Sequence, residues 1–435
     1  MTKTLDAWIE YIQTLHAREI DLSLDRVNEV HQRLRPEGVS FKLITVAGTN
    51  GKGSTCELLA SIYNAAGYTT GKYTSPHIQL FNERFSINRK NVSDQELLEV
   101  FNRVELARKE TKLTYFEFGT LVAIELFCDN DVDIAILEVG LGGRLDAVNI
   151  LDSDAAIITS VSIDHTDWLG DTIEQISREK IAVSRPMKPC ILGVSEPPQI
   201  MLDYCNEYNV PNYIVGRDFQ FEYQADSHVW NWVNSQKKIE NLPLPFLQSG
   251  VQLNNASTAL QVIYCLDDKM RVPIEAIHQG LRDVKLIARC QIVTKEPFII
   301  VDVAHNQASV ARLAEFIEDL NVQGKIHAIC GMLKDKQIEQ SLAHLAGTID
   351  EWHFVDINNT RGSKASYLAS ALESQITDLT LSDKPVANLC YDNVESAFFN
   401  VNKVLKNGDA LIVFGSFFVV SDIMQLISSN NLFDV

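Results

Sequence analysis

The sequence predicts an α/β protein built of two doubly wound sheets. Two observations carry that prediction. Short, continuous apolar runs such as LITVAG (43–48), DIAILEVG (133–140) and AAIITSVS (155–162) have the signature of strands buried on both faces, and helical periodicity fills the stretches between them. At 435 residues the chain exceeds one compact domain, so two are the simplest expectation. The pattern breaks near 286–296, which suggests domains of 1–286 and 287–435.

Taken in order, Leu5, Trp8, Ile9, Ile12 and Leu15 recur at helical spacing, so the chain opens with an amphipathic helix. A polar loop, HAREIDLS, leads to a second helix marked by Leu24, Val27, Val30 and Leu34. LITVAG follows as a strand, then glycines, then a helix that stops at Gly67, a C-cap residue. Further helices are expected at 93–109 and 119–130. Between about 205 and 250 the periodicity weakens, and LPLPFLQSG reads as a loop. A helix at 254–266 carries Ala256, Ala259, Leu260 and Val262. From FIIVDVAHN (298–306) a second alternation begins, with strands near IHAICGML, WHFVDI and ALIVFGSF. Ligands of such sheets sit at the carboxyl ends of the strands.

Composition narrows the function. The chain is 46% hydrophobic and 22% charged, with a formal net charge of −19. That balance argues against a nucleic-acid or anionic-membrane partner, whose phosphates need clustered Lys and Arg. An anionic substrate must find a local positive site against the overall field. The eight cysteines are scattered without a CxxC pair, as small core residues of a reducing compartment would be. The opening MTKTLDAWIEYIQ lacks a signal-type apolar core, and no run approaches the ~20 apolar residues that span a bilayer. A cytoplasmic monomer without a membrane partner is expected.

The most informative residues are Gly48, Thr49, Asn50, Gly51, Lys52, Gly53, Ser54 and Thr55, between a predicted strand and helix. Glycines let the backbone turn its N–H groups toward phosphate oxygens. A lysine adds a point charge, a hydroxyl can hold Mg²⁺, and the helix N-terminus favours the anion. The generic G-x-x-x-x-G-K-[ST] template fails, because Val46 stands at its first glycine and Gly53 at its hydroxyl position. The alternative is a glycine-rich turn without a ligand. With this loop the first domain reads as P-loop-type, and the second as a smaller Rossmann-like α/β domain.

GTNGKGST resembles the nucleotide loop of the Mur ligase superfamily, whose members activate a carboxylate with ATP and couple it to an amine. TSPH (74–77), TYFEFGTL (114–121), LEVGLGGRLDAVN (137–149), DHTDWLG (164–170), REK (178–180) and DVAHN (302–306) are similar to one branch, the bifunctional dihydrofolate synthase/folylpolyglutamate synthases. The matches run from the first helix to GSF (415–417). The resemblance implies an ATP-dependent ligase that phosphorylates the carboxylate of dihydropteroate or a reduced folate, and couples the acyl phosphate to L-glutamate. ATP is then a co-substrate and Mg²⁺ the cofactor.

The same resemblance assigns residues. Ser75, Glu138 and His165 coincide with Mg²⁺-binding positions, and Ser54 would serve the metal of the nucleotide. Oxygen ligands suit this hard cation, with the imidazole the atypical member. Bottom-up, Glu138 ends a buried strand, where a salt bridge to Arg144 is an alternative, and His165 is equally a polar loop residue. Lys180 coincides with a carbamylated lysine, although Arg178-Glu179-Lys180 alone reads as a charged helix face. Asn255 would contact the nucleotide, or else cap its helix. Arg289 and Asp302 coincide with further nucleotide contacts, and His305 with a residue near the phosphates. Glu19, Ile20, Asp21 and Leu22, with Thr114, Tyr115, Phe116 and Glu117 and with Leu145, Asp146 and Ala147, would hold dihydropteroate. Tyr115 and Phe116 could stack on a flat ring or simply fill the core.

The chain departs from the family at Ile181-Ala182, where Ala-Gly is usual, and at Ile287-Ala288, where Pro-Gly precedes the arginine. Gln307 replaces proline, and Phe418 a histidine or tyrosine. A monofunctional folylpolyglutamate synthase and a degenerate ATP-binding homologue are alternatives. A non-enzymatic nucleotide switch would not explain Lys180 or DVAHN. A muramyl peptide ligase would carry a sugar-nucleotide domain for which the 47 residues before Gly48 are too few.

Overall fold

A computed structural model describes residues 4–18, 20–245, 250–378 and 387–429. The chain forms two compact units, Met1–Lys285 and Leu286–Val435.

The first unit is built on strands β1 (Lys42–Ala47), β2 (Thr70–Tyr73), β3 (Phe85–Ile87), β4 (Lys90–Asn91), β5 (Ile134–Glu138), β6 (Ala155–Ile158), β7 (Cys190–Leu192) and β8 (Asn212–Ile214). They lie in the order β4-β3-β2-β5-β1-β6-β7-β8. From β2 to β8 every pair is parallel, and β3 and β4 extend one edge antiparallel. The central strands are buried almost throughout, as their unbroken apolar runs require. The opening helices, Leu5–Thr14 and Asp25–Leu34, bury Trp8 and Ile12, and Val27 and Val30.

Two expectations need correction here. The helix expected from 119 spans Tyr115–Asp129. Thr114 accepts from the Glu117 N–H while the Glu117 carboxylate accepts from the Thr114 N–H, a capping box that starts the helix inside TYFEFG. The weakly patterned stretch after 205 takes in the end of the helix Gln199–Glu207 and a three-stranded antiparallel sheet of β9 (Phe219–Gln224), β10 (Val229–Asn234) and β11 (Lys238–Pro243). Trp230 and Trp232 on β10 are fully buried. The Trp232 indole N–H donates to the Ser257 carbonyl at 3.1 Å, tying this sheet to the helix Gly250–Leu266. Of the expected loop LPLPFLQSG, Leu242 and Pro243 belong to β11, and residues 246–249 lie outside the described residues.

The second unit holds β12 (Gln291–Lys295), β13 (Phe298–Val301), β14 (Ile326–Cys330), β15 (Glu351–Val355), β16 (Ala387–Tyr391) and β17 (Ala410–Phe414), in the order β12-β13-β17-β14-β15-β16. Only β12 runs antiparallel. The α/β fold class read from the sequence therefore holds in both units. Among the described residues no helix is long and apolar enough to cross a membrane.

Candidate active site

The carboxyl ends of β2, β5, β1 and β6 are brought level by their register: Tyr73 pairs with Leu137, Val46 with Glu138, and Ala47 with Ile158. From these ends come Ser75, Glu138, the loop 48–54 and His165. The fold thus collects motifs scattered over about a hundred residues at one edge of one sheet, the edge where α/β sheets bind ligands.

The glycine loop is held by its own backbone and by hydroxyls after β6. The Thr49 N–H donates to the Ser160 carbonyl and the Asn50 N–H to Ser160 Oγ, both at 2.9 Å. The Thr159 hydroxyl donates to the Asn50 carbonyl at 2.7 Å. Gly48 has φ +144°, and a Cβ there would lie 2.0 Å from Thr159 Oγ1, so only glycine fits. Gly51 has φ +86° and begins the helix Lys52–Ala65. A Cβ on Gly51 would meet Asn255 Oδ1 at 2.7 Å, which places Asn255 against the loop. Asn255 lies inside the helix Gly250–Leu266, so the capping alternative is corrected.

Two lysines converge on this loop. Lys52 Nζ donates to the carbonyls of Gly48 and Thr49 at 3.1 and 3.2 Å. Lys180 Nζ donates to the same Gly48 carbonyl at 3.1 Å. Lys180 is buried at 4% exposure, which corrects its reading as part of a charged surface. Burial, then the Lys52 charge, pushes its pKa down to about 7, against the pull of Asp164 and Asp146. A lysine at that value is in substantial part an uncharged, nucleophilic amine near neutrality. Ile181, where the family has a small residue, is absorbed in the apolar core.

Ser54 is buried at 2%, and its Oγ has no hydrogen-bond partner. A hydroxyl so placed costs about 1–3 kcal/mol unless something else binds it. Glu138 is 6% exposed, and its Oε2 accepts the Ser75 N–H at 3.1 Å. The base suggested for it, Arg144, instead pairs with Glu179 at 3.0 Å, so that alternative is corrected. His165 has φ +54° and lies beside the buried Asp164, 4.0 Å from its carboxylate.

Residues expected around a pterin divide into two sets. Arg26 Nε donates to the buried Glu117 at 2.9 Å, and its Nη1 to Asp21 at 3.0 Å. Asp21, Thr114 and Glu117 thus fasten the loop before 25 to the start of the helix at 115. Asp146 is buried, and accepts from the Leu141 and Val148 N–H groups at 2.8 and 3.0 Å. Burial pushes its pKa up to about 7, opposed by those N–H groups and by Lys52. Ile20, Leu22, Leu145, Tyr115 and Phe116 remain half-buried, whereas Ala147 is buried. The Phe116 ring lies so close to Gly140 that a Cβ there would be 2.7 Å away. Glu19 lies outside the described residues.

In the second unit, Asp302 follows β13 and is buried. Its two oxygens accept from the Cys290 and Ala304 N–H groups at 2.5 and 2.6 Å. Burial raises its pKa, while Arg289 and the hydrogen bonds lower it. The Arg289 guanidinium lies 5.5 Å from the Phe417 ring centroid. Ala288 takes φ +54°, so the turn that Pro-Gly would set is made here with alanine in the left-handed region. His305 Nδ1 lies 2.7 Å from the Val303 carbonyl. Asn306 caps the helix Gln307–Asp319, so Gln307 takes the first helical position, where proline is ordinarily favoured. Phe418 is 51% exposed.

Residues 46–197 match the Mur ligase middle domain, and residues 288–417 the Mur ligase glutamate ligase domain. The dihydrofolate synthase/folylpolyglutamate synthase of Escherichia coli K12 is 37% identical over 425 residues, covering 98% of this chain and 96% of that one. The chain belongs to the dihydrofolate synthase/folylpolyglutamate synthase family of Mur ligases. A solved structure of E. coli FolC in complex with DHPP and ADP is similar at a TM-score of 0.91 and 36% identity, covering 99% of each chain. A bifunctional folylpolyglutamate synthase/dihydrofolate synthase with Mn, AMPPNP and L-glutamate bound gives 0.89 at 38% identity, covering 98% of each.

Sequence reasoning about this synthase missed Thr159 and Ser160, which fasten the glycine loop, and Arg26, which fastens the pterin-side loop. Thr159 and Ser160 had a signal, since they directly follow the apolar run 155–158 at a strand's carboxyl end. Arg26 had none, because its partners stand 5 and 91 residues away.

Proposed function

We infer that this synthase is an ATP-dependent acid–amino-acid ligase with two related activities. It phosphorylates the carboxylate of dihydropteroate, or of a reduced folate, to an acyl phosphate. The α-amino group of L-glutamate then attacks through a tetrahedral intermediate and expels phosphate. The first activity makes dihydrofolate; repeated rounds extend a γ-linked glutamate tail. The observation that carries this reading is the meeting, at adjacent strand ends, of a lysine-bearing glycine loop with Glu138, Ser75 and the partnerless hydroxyl of Ser54.

In this reading residues 1–286 supply the ATP site and residues 287–435 the glutamate-ligase domain. Gly48 to Ser54 cradle the phosphates, and Lys52 leaves its loop carbonyls to meet the transferred phosphoryl group. Asn255 contacts the nucleotide from its helix. Arg289 and Asp302 bind other parts of the nucleotide, and His305 acts near its phosphates. The donor chemistry fits Mg²⁺: a buried hydroxyl lacking a partner, a buried carboxylate and a second hydroxyl are hard oxygen donors. Ser54, Ser75, Glu138 and His165 would hold the ion, which when bound supplies charge to offset the phosphates. Tyr115 and Phe116, with Ile20, Leu22 and Leu145, offer the apolar surface for a pterin.

Lys180 is the residue to carry a carbamate. Its depressed pKa supports the reaction, because the free amine attacks CO₂ and releases a proton, leaving a buried anion beside Lys52. Carbon-13 NMR of protein equilibrated with labelled bicarbonate should show a carbamate resonance that Lys180→Met lacks. A cytoplasmic site of action is supported by the eight free cysteines.

The decisive assay is ADP release with ATP, Mg²⁺ and L-glutamate, adding dihydropteroate or tetrahydrofolate separately. Turnover with both acids is expected. Turnover with tetrahydrofolate alone reduces the protein to the tail-extending enzyme, and silence with both makes it a degenerate homologue.

A further inference from the structure

In the second unit, away from the residues discussed so far, His327 on β14 and Glu351 and His353 on β15 lie on one face of the sheet. Their register sets this: His327 pairs with Glu351, and Glu351 and His353 are two residues apart, so all three side chains project the same way. One ligand atom from each lies within 4.8 Å of the other two. His327 and His353 are 1% and 2% exposed. Both ring nitrogens of His327, and Nε2 of His353, have no hydrogen-bond partner. Nε2 of His327 and Nε2 of His353 are left orphaned and His327 Nδ1 faces only the Glu351 carboxylate, a cluster that is rare in a native fold unless something binds it.

We propose that His327, Glu351 and His353 form a binding site for a transition-metal dication, with Zn²⁺ the best fit to the donors. Two imidazoles and one carboxylate are a nitrogen-rich set that favours zinc over magnesium. Bonds of about 2.0–2.1 Å in a tetrahedron put ligand atoms about 3.4 Å apart. His327 Nδ1 and Glu351 Oε2 already stand at 3.4 Å, and the His353 ligand atom, within 4.8 Å of the others, closes the set by moving inward.

The surroundings suit a cation. The Tyr391 hydroxyl on β16 lies 3.2 Å from His353 Nδ1. If Nδ1 carries the proton and donates to it, the Nε2 lone pair is left for a metal, the outer-shell arrangement typical of metal-bound histidines. Asp350 and Asp409 add negative potential at His327. Burial holds both imidazoles below their ordinary range, which is the neutral, ligating form. One feature opposes binding: Lys325 Nζ holds Glu351 Oε1 at 2.6 Å. His327 and Glu351 sit at the amino ends of their strands, the opposite end from that of Asp302. The ion would therefore pin β14 to β15 and take no part in ligation chemistry.

The test is equilibrium dialysis of the full chain against Zn²⁺ in excess Mg²⁺, which occupies the oxygen-rich phosphate site. One Zn²⁺ per chain should remain, and Co²⁺ in its place should give the visible absorption of a tetrahedral site. Glu351→Gln, at a half-buried position, should weaken Zn²⁺ binding by more than about tenfold. Lys325→Met should tighten it, an outcome that a purely structural role for Glu351 does not produce. ADP release should be unchanged in both variants. His353→Gln removes a fully buried ring and can unfold the unit, so the Glu351 and Lys325 pair carries the test. No Zn²⁺ retained by the unaltered chain, or unaltered affinity in Glu351→Gln, overturns the assignment.

Discussion

The carboxyl ends of the two sheets use one topology for opposite electrostatic ends. In the first unit the turn after β1 leads into Lys52 and is met by Lys180 from the helix Ile173–Ile181, and its geometry is imposed by glycines packed against Thr159 and Asn255. In the second unit the turn after β13 is organised around a buried carboxylate, Asp302, which draws in the N–H groups of Cys290 and Ala304. In the proposed reading the first edge receives anions, whereas the second is built around a carboxylate of its own. A parallel sheet offers only a place to bind, and the residues of the following turn decide the sign of what binds there.

Lys52→Ala should break the contrast most strongly. Loss of the charge proposed to meet the phosphoryl group should cut ADP release by about 10²–10³-fold, roughly 3–4 kcal/mol of barrier by analogy with removal of one oxyanion donor. Asp302→Asn acts on the other edge and through the fold as well. An amide has one acceptor oxygen where the carboxylate has two, so one N–H is left unpaired and stability should fall by about 1–3 kcal/mol, read as a lower urea midpoint.

The pH dependence sharpens the comparison further. Lys180 has a folded pKa of about 7, below its ordinary value of about 10.4. Between these values the unfolded chain binds the extra proton, so stability rises with pH across that window and is penalised below it. In CO₂-free buffer the slope should approach about 1.4 kcal/mol per pH unit, and Lys180→Met should flatten it. The smallest effect belongs to Arg144→Ala. Its pair with Glu179 is half exposed on the arginine side, and its removal should cost less than about 1 kcal/mol. A larger loss would mean that the loop 140–146 depends on that pair.

The strands β1, β5, β6, β13, β14, β15 and β17 were legible because each is a continuous apolar run, and the phosphate loop because glycine, lysine and hydroxyl stand together in sequence. The strands β2, β3, β4, β7, β8, β12 and β16 are too short or too polar to show such a run and were not read. Nor was the sheet 219–243, since β9 and β11 carry mostly exposed polar residues and the buried Asn231 breaks the apolar run between Trp230 and Trp232. The start of the helix at 115 was legible in principle, as Thr114-x-x-Glu117 is a capping box, but the aromatic pair drew the reading toward a ligand. The burial of Lys180 could not be read at all. It depends on Gly143 packing against the Glu179 carbonyl, where a Cβ would come within 2.6 Å, a contact between segments 36 residues apart.

The buried indole of Trp232 has an optical consequence. Its N–H is bonded to the carbonyl of Ser257, two residues along the same helix from Asn255, which abuts Gly51. A rearrangement of the glycine loop that shifts this helix changes the hydrogen bond of a fluorophore with no solvent exposure. Trp232 is therefore placed to report on the phosphate loop, and in a variant with the other four tryptophans replaced by phenylalanine its emission wavelength should shift on nucleotide addition.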